Sequence, residues 1–169
     1  MNLETENSPE IAEVKTEAIT KRSHGEVVFE IKKIIPANLT ESSATSRSIE
    51  PPNEVLELLD SFVEQQGYHN LGERWREISR AEAEKIINFI MTKDLAYSVE
   101  LMSSEEAQQI SSKLLTLFAG NCKYFTNALF VNNFSGMSEW NSITESTFDT
   151  GVMIVSGDRI GMLWVQDED

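Results

Sequence analysis

The stretch Thr147 to Asp169, TFDTGVMIVSGDRIGMLWVQDED, constrains the fold of this chain more than any other. Two nearly continuous apolar runs, Val152–Val155 and Ile160–Val165, flank the polar link Ser156-Gly157-Asp158-Arg159. So short a link between two β-prone runs predicts an antiparallel hairpin, with Gly157 free to take φ > 0. Neither run alternates apolar with polar, so both faces of each strand are expected to be covered. A lone hairpin is marginal in water, and the rest of the chain must supply further strands and the layers that pack on them.

Upstream segments supply both. Residues 1–22 carry Ile11, Val14, Ala18 and Ile19 at helical spacing on an otherwise polar, Glu-rich stretch, which reads as a weak helix or a disordered arm. Glu26–Ile35 places Val27, Phe29 and Ile31 on one face, and a strand ending at Pro36 is expected. Ala37–Pro52 is a Ser/Thr-rich linker, the best boundary in the chain. The expected organisation is an N-terminal segment over 1–50 and a single domain over 51–169. In that domain Val55, Leu58, Leu59, Phe62 and Val63 predict an amphipathic helix over 53–66, capped by Asn53 and stopped by Gly67. Ser79…Glu82 and Ser103…Glu106 are capping boxes: each hydroxyl and carboxylate satisfies a backbone donor of the first turn. They open helices with Ala83, Ile86, Ile87, Ile90 and Met91, and with Ala107, Ile110, Leu114, Leu117 and Phe118, facing inward. Cys122–Val131 reads as one strand and Asn132–Ser146 as a polar loop. Helices first and strands later predict an α+β fold. The expected form is an antiparallel sheet of three or more strands, with about three helices on one face.

Charge narrows the classes of function. The chain of 169 residues is 40% hydrophobic, enough for a real core, and carries a formal charge of −14. That balance argues against nucleic acid and anionic membrane as partners, and it suits a basic protein partner or simple solubility. The single cysteine, Cys122, permits no intrachain disulfide and fits a reducing compartment. The acidic start lacks a signal-peptide pattern, and no apolar run approaches the roughly 18 residues of a membrane span. A cytoplasmic location is expected.

No catalytic residue, metal site or cofactor is assigned. Phe148-Asp149-Thr150-Gly151 spells the aspartic-protease signature, but that chemistry needs two aspartates sharing a proton. Too little chain follows Gly151 for the second half of such a site, and a turn built by Asp149 and Gly151 is the preferred reading. A small hydrolase using Asp149, with His69 as a conceivable base, is the alternative. His24 and His69 have no cysteine or second histidine at zinc-ligand spacing. Cys122 reads as a buried inert thiol and Trp164 as core. Trp140, in a polar loop with Phe134 and Met137, is either anchored inward or offered to a partner. Glu139, Trp140, Glu145, Asp158, Asp167, Glu168 and Asp169 are the candidate partner-binding residues, as an acidic lure around one aromatic.

Residues from about Ile78 to Asp169 resemble a family of small acidic bacterial proteins. The resemblance rests on Asp94-Leu95-Ala96-Tyr97 with Glu100 and Met102, and on Tyr124–Asn127. It continues through Trp140, Ile143, Thr144, Thr147, Phe148, Asp149 and Gly151, and ends in Ile160–Asp169. In size and acidity that family is similar to the immunity proteins of polymorphic toxin and contact-dependent inhibition systems. The resemblance implies one protein partner, a toxin domain and often a basic nuclease, with no catalytic residue. A scaffold or adaptor whose first 50 residues order on binding is a further alternative.

Overall fold

The computed structural model describes residues 2–35 and 52–168. Residues 37–51 of the linker, the side chain of Asn53 and the terminal Asp169 lie outside those residues, and the helix expected to be capped by Asn53 begins one residue earlier, at Pro52. The described strands are β1 (Asn2–Thr5), β2 (Glu26–Ile35), β3 (Arg76–Ile78), β4 (Lys123–Thr126), β5 (Ala128–Val131), β6 (Gly136–Trp140), β7 (Phe148–Val155) and β8 (Arg159–Asp167). The helices are α1 (Pro9–Lys21), α2 (Pro52–Gln65), α3 (Arg80–Thr92) and α4 (Ser104–Thr116). Six strands form one antiparallel sheet in the order β1-β2-β8-β7-β4-β3, and β5 and β6 pair apart from it. The fold is α+β, and the C-terminal hairpin β7–β8 lies at the centre of the sheet.

Strand alternation explains why the hairpin is apolar on both faces. Val152, Ile154, Leu163 and Val165 point to one core, and Met153, Val155, Ile160, Met162 and Trp164 point to the other. On the first face lie α1, α3 and α4, through Ile11, Val14, Ile86, Ile90, Ile110 and Leu114. α2 covers the second face with Leu59, Phe62 and Val63, joined by Leu71, Trp75 and Ile143. Each fully buried Ile or Leu contributes roughly 1.5–3 kcal/mol, so the two layers together hold the sheet. Both capping boxes form, at Ser79–Glu82 and Ser103–Glu106. Each contributes about 1 kcal/mol and sets the first turn of its helix.

Residues 2–35 contribute β1, α1 and β2 to this same sheet and core. β2 runs beside β8 over eight registered pairs, from Glu26↔Gln166 to Lys33↔Arg159. The Arg159 guanidinium bonds Glu6 at 2.6 and 2.9 Å and donates to the Leu117 carbonyl, tying β1's exit to the end of α4. The α1 stripe is buried at Ile11, Val14 and Ala18. Ile19 stays exposed.

Three local expectations change. Cys122–Val131 is not one strand, because the chain leaves the sheet at Asn127 and resumes as β5. The polar loop after it contains β6, which pairs back on β5 across a turn with positive φ at Asn132, Asn133 and Phe134. Phe134 is anchored there, stacked on Phe130, which meets Phe89 of α3 edge to face. Gly157 lies outside the left-handed region; the Ser156 hydroxyl closes the turn instead, accepting from Arg159 N at 3.1 Å.

Gly151 is required by close approach rather than by an unusual φ. A Cβ there would sit 2.1 Å from the Leu163 carbonyl oxygen and 2.6 Å from Trp164 Cα. Both neighbours are backbone of β8 and cannot move aside. Gly151→Ala is expected to cost about 3 kcal/mol or more, read as a lowered urea midpoint. An unchanged midpoint would show that β7 and β8 can separate at this pair.

Candidate functional site

At the Asn127 exit the side chain is fully committed. Asn127 Nδ2 donates to the Asn141 and Asp149 carbonyls, each at 2.9 Å, and Oδ1 accepts from Thr150 Oγ1 at 2.7 Å. This joins the β4–β5 break to β7 and to the end of β6. Asp149 then organises the loop over 141–147. It is completely buried, and its carboxylate accepts from Trp164 Nε1 (3.0 Å), Ile143 N (3.2 Å), Thr144 N (3.3 Å) and Thr144 Oγ1 (2.8 Å). A buried charge held by several donors is a positioning device for the segments that supply them. Thr144 Oγ1 passes the constraint on by accepting from Ser146 N, and the Ile143 carbonyl accepts from His69 N.

This corrects the reading of Phe148–Gly151 as a turn. The tetrapeptide is a strand rather than a turn, and Asp149 reaches a loop and a tryptophan rather than its own backbone. Among the described residues the hydrogen-bond partners of its carboxylate are all donors. His69 is exposed and pairs with the still more exposed Glu145, at 2.6 Å. Cys122 is half-buried just ahead of β4, not sealed in the core.

The candidate partner-binding residues separate into groups. Glu145 stands on the pinned loop with its side chain 89% exposed. Close by, Glu168 accepts from Thr147 Oγ1 at 2.7 Å. Hydrogen bonds from Thr147 and Ser146 hold the Glu168 carboxyl below the usual carboxylate range, so it stays charged. Trp140 lies on β6 rather than in a loop, half-buried, with its ring 5.3 Å from that of Phe148. Glu139 is exposed beside it. Both border a cleft of about 450 Å³ whose other wall carries Glu73, Arg74, Arg76 and Glu77.

Two residues do not belong. Asp158 is in the β7–β8 turn, at the opposite end of a strand that spans ~24 Å. Asp167 is 1% exposed and closes a buried ion pair. Its two oxygens meet Arg22 Nη1 and Nη2 at 2.9 and 2.7 Å, and the second also accepts Leu95 N at 2.8 Å. Arg22 itself, just past α1, donates from Nε to the Ile90 carbonyl and from Nη2 to the Lys93 carbonyl. The apparent acidic tail is therefore internal at Asp167, because β8 runs one turn of pleat further than its apolar run.

Trp75 and Trp164 are core, packed edge to face at 6.1 Å, with Trp75 Nε1 bonded to Asp60 at 2.8 Å. Sequence reasoning missed Asn127 and the loop after α3. For the latter a signal existed in Asp94, since an Asp side chain can bond the backbone two residues on and so favours a turn. Among the described residues no group of three or more His, Cys, Asp or Glu could hold a metal ion, and no helix is long and apolar enough to cross a membrane. No family model, curated protein or solved structure matches this chain.

Proposed function

We propose that this chain is an acidic cytoplasmic inhibitor that binds one protein partner in a stoichiometric complex. In the class its C-terminal half resembles, that partner is a toxin domain, and a basic nuclease suits the charge of −14. The observation that supports the reading is the loop over 141–147. A completely buried carboxylate pins it, and it holds Glu145 out beside Glu168, next to a strand that carries Glu139 and the half-buried Trp140. A surface fixed before the encounter has less ordering to lose on binding. Its charge speeds the approach of a basic partner. The aromatic supplies the desolvated contact that carries affinity in most interfaces.

Recovery of complexes from the native host at low and high salt tests this. One basic partner at 1:1 is expected at low salt, with its own activity blocked, and loss of the complex as salt rises. With the purified pair, Trp140→Ala is expected to raise Kd about tenfold or more. Glu145→Lys is expected to lower the association rate and flatten its salt dependence. A partner indifferent to salt and to both changes, or no partner at all, would remove the reading.

A further inference from the structure

The chain between α3 and α4 folds into a small rigid projection. Asp94 is buried, and its Oδ2 accepts from Ala96 N at 3.1 Å and Tyr97 N at 2.6 Å. The backbone closes on itself through Ser98 N to the Asp94 carbonyl and Asp94 N to the Val99 carbonyl. Lys93 and Glu100 form an antiparallel bridge below it. Ser98 sits at φ 60°, a conformation that costs an L-residue about 1–2 kcal/mol and persists only where neighbours enforce it. The base is rooted in the Arg22–Asp167 pair, through Leu95 N and the Lys93 carbonyl.

This stem holds apolar groups out in water. Tyr97 is 66% exposed and Val99 50%, the highest values among the large hydrophobic residues described. Both border a hollow of about 590 Å³ that also meets His24, Glu26, Ser146 and Glu168. Glu26 and Glu168 line it and are exposed, and Glu100, next to Val99 in the chain, is exposed as well. Of the basic groups near it, Arg22 is buried in its pair with Asp167 and Lys93 is half-buried, which leaves His24 exposed at the edge. Ser146 and Glu168 make the hollow continuous with the loop that carries Glu145.

We infer that Tyr97 and Val99 are the apolar anchor by which this chain docks on a basic protein surface, with Glu26, Glu100 and Glu168 as the charged rim. The inference rests on the inhibitor reading and adds the place where the partner's apolar pocket is filled. Charge selects the occupant. A second copy would bring another rim of the same sign, and an anionic membrane would repel this one. A basic protein gains from the rim and from burying the phenol ring. A ring presented on a preformed stem loses little conformational freedom on binding, the pattern of an interface hot spot.

Photo-crosslinking of the full chain in its native host tests this, with p-benzoylphenylalanine placed at position 97, 140 or 157. Position 157, in the exposed β7–β8 turn at the opposite end of the sheet, where an added side chain meets nothing within 4 Å, is the control. Positions 97 and 140 are expected to label the same basic protein, and 157 to label none. With that protein purified, Tyr97→Ala is expected to weaken binding about thirtyfold or more and Val99→Ser severalfold, at unchanged melting temperature. Labelling from 140 with none from 97, or full affinity in Tyr97→Ala, overturns the anchor and leaves the inhibitor reading standing. Labelling of a second copy from 97 overturns it in favour of self-association. Silence at both 97 and 140 overturns both readings.

Discussion

Arg22→Met is expected to destabilise the fold by about 3–5 kcal/mol, the cost of leaving one member of a buried ion pair without the other. Asp167 would keep only Leu95 N among the donors that now hold it. The Ile90, His24 and Lys93 carbonyls would each lose a guanidinium N–H. The loss reaches far because the pair joins the end of α1 to the last residue of β8, 145 positions apart, and both are fixed there to the end of α3. Asp167→Leu alone strands the arginine and is expected to cost a similar amount. The double variant Arg22→Met with Asp167→Leu should recover part of it, since neither charge is then left buried. Denaturant midpoints of all four proteins give the coupling, and raised salt should leave it intact because the pair is out of reach of solvent. Single variants within 1 kcal/mol of the parent would mean that water replaces the missing partner.

Asp149→Ala is expected to cost a comparable amount, about 3–5 kcal/mol. It strands Trp164 Nε1 and the Ile143 and Thr144 amides in the interior, at about 1–3 kcal/mol for each buried donor left unmade. Its second effect is local. Amide exchange at Ile143 and Thr144 should accelerate, and the Trp164 emission should shift as its ring loses its polar partner. Asp149→Asn keeps one acceptor oxygen but turns an NH2 toward donors, so an intermediate loss is expected. If the loop over 141–147 is part of the partner surface, Asp149→Asn weakens binding without touching the partner. A folded Asp149→Ala protein with slow exchange at Ile143 and Thr144 would show that the loop is held by its apolar contacts alone.

Both residues show why the site was harder to read than the fold. Asp149 lies in a recognisable tetrapeptide and Asp167 in an evident acidic run, so the sequence neighbours of each suggest a local role. Their roles come from residues far along the chain: Trp164 and Asn127 for the first, Arg22 and Leu95 for the second. Glu139, Trp140, Glu145 and Glu168 could be picked out as polar or aromatic groups near the hairpin. Which of them share a face depended on β6, whose turn uses left-handed residues that are not glycine. The exposure of Tyr97 depends on the turn that Asp94 closes and on its footing at Asp167, which the local pattern does not state.

The amino-acid sequence by itself determined the elements whose signals are local. Capping boxes at Ser79 and Ser103, the helical stripes behind them and the doubly apolar hairpin act through residues a few positions apart. The α+β class and the covering of both hairpin faces follow from those alone. Only the tertiary structure decided that residues 2–35 join the sheet beside β8, that α2 takes the face opposite α1, α3 and α4, and that the tail carboxylate of Asp167 turns inward. The physical reason is that strand pairing and buried charge are settled by partners distant in sequence. A β-strand's own residues state which face is apolar, but not which strand will lie beside it. A carboxylate's own neighbours do not state whether an arginine will meet it.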